Sequence, residues 1–392
     1  MASVVDDRVP VTMDIVTAAL ATASLCGSAY TVLAAWAVRR FVRLPGARAA
    51  NPPPVTVLKP LHGDEAELYE NLRSFCAQRY PRFQIIFGVR DEADPAISVA
   101  RRLITDFPDV DIALVVDPRV EGTNFKVSNL ENMVALAKHD VFVIADSDMH
   151  VTPDYLTEVT APLAEGGIGL VTCLYRGRPV VGTCSRLGAM FVNHGFLPSA
   201  LIGEQLRPGA ACFGATMALR RDIYVTIGGF ARLRDQLADD YALGAAVRRI
   251  GKRVVLSPYL VDTVSSEASL GALIRHELRW ARTIRSIAPI GFAASFITHA
   301  VMLGLIAALV GGFGAPTLAV FGIALACRLP MVRIVDRALK LPATPLWLVP
   351  VRDMLSFWVF IVSFLGNRVA WRDNTFRIAA DGRLVTNGDS RA

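Results

Sequence analysis

Charge is scarce in this chain: 19% of its 392 residues are Asp, Glu, Lys or Arg, against 53% hydrophobic. With a mean hydropathy of +0.41, that scarcity excludes a disordered or purely water-soluble protein, while 35 acidic and 41 basic residues exclude a wholly membrane-embedded one. Cysteine is sparse too. The six (Cys26, Cys76, Cys173, Cys184, Cys212, Cys327) form no C-x-x-C pair and no zinc spacing, so neither a disulfide scaffold nor a structural zinc site is expected. Reduced thiols on the cytosolic side fit better. No lipoyl, haem or flavin signature, internal repeat or low-complexity tract is present. The basic excess, formally +6 with a pI near 9.1, does not require nucleic acid, because much of it flanks apolar runs as positive-inside topology demands. No nucleic-acid partner is expected.

Long apolar runs are what the chain does have. Residues 15–38, IVTAALATASLCGSAYTVLAAWAV, carry no charge and are long enough to cross a hydrocarbon core. Asp6, Asp7 and Asp14 precede this run and Arg39, Arg40, Arg43 and Arg48 follow it, the reverse of a signal peptide. Residues 1–45 therefore read as an uncleaved anchor whose C-terminal side is cytoplasmic. A second apolar region, 286–365, holds three segments: IAPIGFAASFITHAVMLGLIAALVGGFG, APTLAVFGIALACRLPMV and TPLWLVPVRDMLSFWVFIVSFLG. Adjacent Arg352 and Asp353 are costly in lipid, so the third segment either packs inside a bundle or lies in the interface, and the basic residues bordering it on both sides favour a re-entrant or interfacial helix. Residues 366–392, with Arg368, Arg372 and Arg377, read as a cytoplasmic tail.

Between the apolar regions, residues 52–285 alternate short β-rich runs (VTVLKPL, QIIFGVRD, DIALVVD, VFVIADSD, IGLVTCLYR) with helical spacing. In KVSNLENMVALA, for example, Val127, Leu130, Val134 and Ala137 share a face. This is an α/β pattern with a mostly parallel sheet. Three runs end in aspartate, at Asp91, Asp117 and Asp148, and open α/β sheets bind ligands beyond the carboxyl ends of their strands. Asp146 and Asp148, two apart at a strand end, are expected to point to one side. Two carboxylates so placed repel unless a cation neutralises them, which suits a hard ion such as Mg²⁺ or Mn²⁺ that also takes phosphate oxygens. A D-x-D on its own is more often a solvated turn; its neighbours decide.

Those neighbours, in order, are VLKPLHG (57–63), GVRDEADPA (88–96), GTNFKVSNL (122–130), IADSDMHVTPDYL (144–156), LADDYALG (237–244) and RHELRW (275–280). Together they resemble the processive-type inverting glycosyltransferases, especially the ceramide glucosyltransferase branch and its bacterial relative in hopanoid biosynthesis. The resemblance implies a GT-A fold, a Rossmann-like nucleotide-diphospho-sugar transferase domain, with an N-terminal transmembrane helix and C-terminal transmembrane or interfacial helices. It also implies roles. Asp91 would contact the nucleotide base with Asp94 nearby, although Asp94, just before Pro95, equally suits a helix N-cap. Lys126, at a helix start with Asn124, would reach phosphate or uracil. Asp148 would be the direct metal ligand, and Asp146 a second ligand or a contact to sugar or ribose. Asp240 would be the catalytic base, with Asp239 complementing the helix dipole. Arg279 would counter leaving-group charge and Trp280 would wall the acceptor site. His194, Arg275 and His276 are candidates for the acceptor side. His276 departs from the family pattern, which has Gln or Arg there, and His150 stands where Arg is expected.

The function implied is transfer of a sugar from a UDP-sugar to a lipid hydroxyl, by a multi-pass inner-membrane enzyme whose catalytic domain faces the cytoplasm. Partners are then the UDP-sugar, the lipid acceptor, membrane lipids and a divalent cation. N-acetylglucosamine moved to bacteriohopanetetrol is the first expectation, glucose moved to ceramide the second. A processive polysaccharide synthase would need more spans, and a non-catalytic scaffold would not need Asp148, Asp240 and Arg279.

Overall fold

The computed structural model describes residues 8–180, 182–366, 368–371, 374–378 and 383–386. Asp6, Asp7 and Arg372, used above to orient the chain, lie outside them. The chain divides into two compact units. One gathers Met1–Arg43, Asn193–Ile202 and Ile274–Asn367; the other gathers Leu44–Val192, Gly203–Leu273 and Arg368–Ala392. The last piece of the helical unit thus begins at Ile274, inside the stretch that the motifs assigned to the α/β domain.

The second unit is the α/β domain. Its strands are β1 (Val55–Pro60), β2 (Phe83–Val89), β3 (Asp111–Val116), β4 (Val141–Ile144), β5 (Met149–His150), β6 (Ile168–Pro179), β7 (Met217–Arg220) and β8 (Arg253–Ser265). They form one sheet in the order β3-β2-β1-β4-β7-β6-β8-β5. The first four run parallel, β7 is antiparallel to both β4 and β6, and β6 and β8 are again parallel. β1 and β4 are buried along their whole length, which is why β4 reads as an unbroken apolar run and β1 as one interrupted only by Thr56 and Lys59. Helix Ala96–Asp106 buries Ala96, Ile97, Ala100 and Leu103, and helix Phe125–Val134 buries Val127, Leu130 and Met133. Gly88 on β2 has to be glycine: a Cβ there would sit 2.4 Å from Met133 Sδ.

Residues 366–392 are not merely a tail. The described pieces Arg368–Trp371, Asn374–Ile378 and Leu384–Thr386 pair as a small antiparallel sheet. The runs RVAW, NTFRI and LVT are β-branched and aromatic, a strand signal that the basic residues obscured.

The first unit is helical. Arg8–Phe41 and Ala315–Ala338 are each long and apolar enough to cross a membrane. Pro289–Thr298 and Ala300–Val310 would make a third span if counted together, but they are bent by 65°. The bend falls in the first C-terminal segment, which the sequence read as one plausible span. The third is one helix, Leu348–Ser363, whose two charges are paired inside the unit: Arg352 with Glu277, and Asp353 with Arg328. Small residues bring these helices together. A Cβ on Gly27 would lie 2.0 Å from the Ile297 carbonyl, and Ser24 Oγ donates to the Ala300 carbonyl at 2.8 Å.

Candidate active site

The parallel strands end on one edge of the α/β domain. β2 runs out into Arg90 and Asp91, β3 into Asp117, and β4 into Ala145, Asp146, Ser147 and Asp148. Asp117 is taken by its own loop, since Arg119 pairs with it at 2.6 Å and holds its carboxyl below the usual range. Asp91 is exposed and accepts from the Ala93 N–H at 2.9 Å. Asp94 is buried; it accepts from the Gly63 N–H at 2.9 Å and the Ala96 N–H at 2.9 Å, so it ties the loop after β1 to the start of helix Ala96–Asp106.

Asp146 and Asp148 are not on a strand. β4 stops at Ile144 because its ladder with β7 ends there, and a turn follows in which the Met149 N–H reaches the Asp146 carbonyl at 3.3 Å. The turn, not the strand pleat, brings the two carboxylates into each other's field. Burial, then Asp146, then Glu65 push the Asp148 carboxyl up to about 7, against a hydrogen bond from Thr263 Oγ1 at 3.0 Å and the charge of Lys59. Lys59, on β1, is fully buried, with its ammonium 3.8 Å from the Phe75 ring centroid and donating to the Asp146 carbonyl. Burial brings that ammonium down to about 7, although Asp148, Asp146 and Glu65 pull the other way.

Lys126 opens helix Phe125–Val134. Its N-cap, Asn124, accepts from the Lys126 and Val127 N–H groups at 3.0 and 3.2 Å and donates through Nδ2 to the Gln236 carbonyl at 2.8 Å. The Asn124 N–H reaches the Arg234 carbonyl at 2.7 Å. The loop before Lys126 is thereby stitched to the loop before helix Asp239–Arg249. Lys126 Nζ lies 2.6 Å from Asp146 Oδ1 and 3.4 Å from Asp239 Oδ2, so one ammonium spans both segments. Burial opposes its charge, but Asp146 and Asp239 more than compensate and hold it above the ordinary lysine range.

Asp240 sits one residue further on. Its carboxylate accepts from the Gly214 N–H at 2.9 Å and from the Tyr241 N–H at 2.7 Å. Burial and Asp239 push it up to about 6, against Lys126 and the Tyr241 N–H. Gly214 faces three of these groups at once: a Cβ there would lie 3.2 Å from Asp146 Oδ2 and 3.5 Å from both Asp240 Oδ2 and Lys126 Nζ. Asp146, Lys126, Asp239 and Asp240 therefore form one cluster, with Asp148 beside Asp146.

Three contributors were not singled out from the sequence. Lys59 left a trace, a lone charge in the apolar run VTVLKPL; Gly214 and Thr263 left none. Among the described residues no group of three or more His, Cys, Asp or Glu side chains is arranged to hold a metal. The donor set nevertheless fits a hard dication that completes its shell with phosphate oxygens, because Asp146, Asp148 and Glu65 repel one another at a half-buried edge.

The other predicted residues belong to the helical unit. His194 is buried and its Nε2 lies 2.8 Å from Asp336 Oδ1, while Nδ1 has no hydrogen-bond partner among the described residues. Arg275, His276, Arg279 and Trp280 lie on helix Leu270–Ile287. Arg275 is exposed. The His276 ring packs edge-on to Trp280 at 4.7 Å, and Phe196 lies 6.2 Å from Trp280 on another side.

A model of glycosyl transferase family 21 matches residues 19–384. The chain belongs to that family. Among curated proteins, this family 21 chain is similar to ceramide glucosyltransferase 1 of Caenorhabditis elegans, 25% identical over 353 residues, covering 86% of this chain and 74% of that one. It is 39% identical over 101 residues to the ceramide glucosyltransferase of Komagataella phaffii, covering 25% and 20% of the two chains. Among solved structures, a mannosyltransferase of Pyrobaculum calidifontis, determined in complex with GDP-Man and Mn²⁺, superposes with a TM-score of 0.52 at 22% identity, covering 90% of this chain and 97% of that one. The α/β unit has the GT-A glycosyltransferase fold.

Proposed function

We propose that this family 21 glycosyltransferase moves a hexose from a UDP-sugar to the hydroxyl of a membrane lipid, with inversion at the anomeric carbon, and that the acceptor is a ceramide-type lipid and the sugar glucose. The relatives support this acceptor ahead of the hopanoid that the motif forms suggested, since those named above are ceramide glucosyltransferases. One observation carries the chemistry: Asp240 is a carboxylate raised to about 6, aimed by two backbone N–H groups, within the field of Lys126 and Asp146. A base with that affinity is ionised at neutral pH and still accepts a proton well.

In the proposed displacement the lipid oxygen bonds to the anomeric carbon as the bond from that carbon to the β-phosphate oxygen breaks. The hydroxyl proton goes to Asp240, and the electron pair leaves with UDP. Asp91, exposed beyond β2, is assigned to the nucleotide base, while Asp94 supports its loop. Lys126 is assigned to the diphosphate, exchanging Asp146 for phosphate oxygen. Asp148 and Asp146 would hold a divalent cation, which when bound supplies positive charge to the diphosphate. Arg279 is assigned to leaving-group charge and Trp280, flanked by His276 and Phe196, to the acceptor, with His194 and Arg275 as further acceptor-side candidates. We place the protein in the inner membrane as a multi-pass enzyme with its α/β unit cytoplasmic, in keeping with Arg39, Arg40 and Arg43 at the end of the first helix.

The test is mass spectrometry of lipids formed by membranes containing the protein, given UDP-glucose, UDP-N-acetylglucosamine, ceramide and bacteriohopanetetrol. A hexosylceramide is the expected product. An N-acetylhexosaminyl hopanoid would move the acceptor to the second reading, and no glycolipid from folded protein would overturn both.

A further inference from the structure

Arg352 is the largest side chain that is fully buried, and it lies in the helical unit. Its guanidinium meets Glu277 head-on, with Nη1 to Oε1 at 2.6 Å and Nη2 to Oε2 at 2.7 Å, and Nε reaches Ser356 Oγ at 3.1 Å. The two side chains are 1% and 4% exposed. Burying two charges together yields little net stability, since a well-packed apolar pair often does as well; what such a pair does supply is one permitted arrangement. Rotating helix Leu270–Ile287 away from that arrangement would strand both charges in an apolar surrounding.

The arrangement fixes which residues lie on the side of the helix away from Arg352. At about 100° per residue, Arg279 lies about 200° around the helix from Glu277, Arg275 about 160° and Arg282 about 140°. The three arginines thus occupy the face opposite the buried carboxylate. Trp280 lies about 60° from Glu277 on the flank it shares with His276, where their rings meet at 4.7 Å. Arg352 is in turn held by a second pair. Asp353, the next residue, takes Arg328 at 2.7 Å, and Arg328 Nη1 donates to the His194 carbonyl at 2.8 Å. Helices Leu270–Ile287, Leu348–Ser363 and Ala315–Ala338 are linked in sequence through charged groups, and the last reaches the segment of His194.

We propose that Glu277 and Arg352 are positioning residues: their buried pair sets the rotational phase of helix Leu270–Ile287 and so presents Arg279 and Trp280 for transfer. This rests on the roles given to Arg279 and Trp280 above.

The experiment compares full-length wild type, the singles E277M and R352M, the apolar pair E277M/R352M and the swap E277R/R352E, each purified in detergent. Turnover is measured with UDP-glucose and ceramide, or with UDP-N-acetylglucosamine and bacteriohopanetetrol, whichever wild type uses, alongside UDP affinity by calorimetry. The apolar pair should fold and bind UDP as wild type does, with kcat down at least tenfold and donor KM unchanged. The swap should recover most of that kcat. A wild-type kcat in the apolar pair would overturn the proposal, because a merely structural pair is replaceable by methionine. So would a swap no better than the singles in yield or turnover. R279A separates the two readings: if it retains wild-type kcat, the role of Arg279 fails, whereas loss in R279A with an unaffected apolar pair defeats only the positioning.

Discussion

Asp240, the proposed base, would set the pH range in which transfer runs. Its folded affinity for protons, about 6, lies above the ordinary aspartate value of 3.8, so the folded chain holds a proton that the unfolded chain has lost between those two pH values. The stability this contributes is present at low pH and falls away as pH rises through about 6, leaving Asp240 ionised, unfavourably buried and ready to act. Two outcomes follow. The rate of transfer should fall with acidification below about pH 6, measured as kcat/KM against pH. Asp240→Asn should abolish transfer, keep UDP binding, and raise the melting temperature at pH 7.5 by the equivalent of roughly 1–3 kcal/mol. Burial disfavours the Lys59 ammonium as well, bringing it down to about 7, so its role is read in binding. Replacing it by Met removes the donor on the Asp146 carbonyl and should weaken UDP binding, measured by calorimetry. Lys126, Asp146, Asp148 and Asp240, which the fold brings together, could be singled out from the sequence because each stands in a motif whose spacing survives without coordinates. Lys59 could not be, since a charge within a strand run looks like a solvent-facing residue until the second layer above it is known.

At the scale of the element, the loop 122–124 and the loop 234–236 behave as one piece, joined by Asn124 Nδ2 to the Gln236 carbonyl and by the Thr123 N–H to Asp235 Oδ1 at 3.0 Å. Asn124→Ala loses both the cap and the cross-link. It should cost about 1 kcal/mol for the cap alone, read by thermal melting, and should raise donor KM more than Ser128→Ala, whose hydroxyl bonds only within its own loop to Glu121. The helices that carry Lys126 and Asp240 could be drawn from apolar spacing because their buried faces repeat at helical period. The D-x-D could not be placed so easily. Whether a strand continues depends on its neighbour, and β7 (Met217–Arg220), only four residues long, is invisible to pattern at that length. The partner of Arg352 was not legible for a related reason: Glu277 lies 75 residues away in sequence, so the charges alone left packing inside a bundle and lying in the interface both open.

At the scale of the whole chain, the two helices long and apolar enough to span a membrane associate the enzyme with lipid. The protein should sediment with membranes after alkaline carbonate washing and lose transfer when detergent is withdrawn. Chelation with EDTA should stop transfer, and Mn²⁺ or Mg²⁺ should restore it, without changing the elution volume of the purified protein. Lys126 carries a consequence for the order of events. Its ammonium lowers the proton affinity of Asp240 while it rests between Asp146 and Asp239. A diphosphate that draws it away would leave Asp240 a stronger base than before. The proton acceptor would then gain strength only after the sugar nucleotide has arrived, and a lipid hydroxyl reaching the site early would meet a weaker one. On the roles proposed for Lys126 and Asp240, substrate addition would be sequential, with the soluble partner first and the membrane partner second.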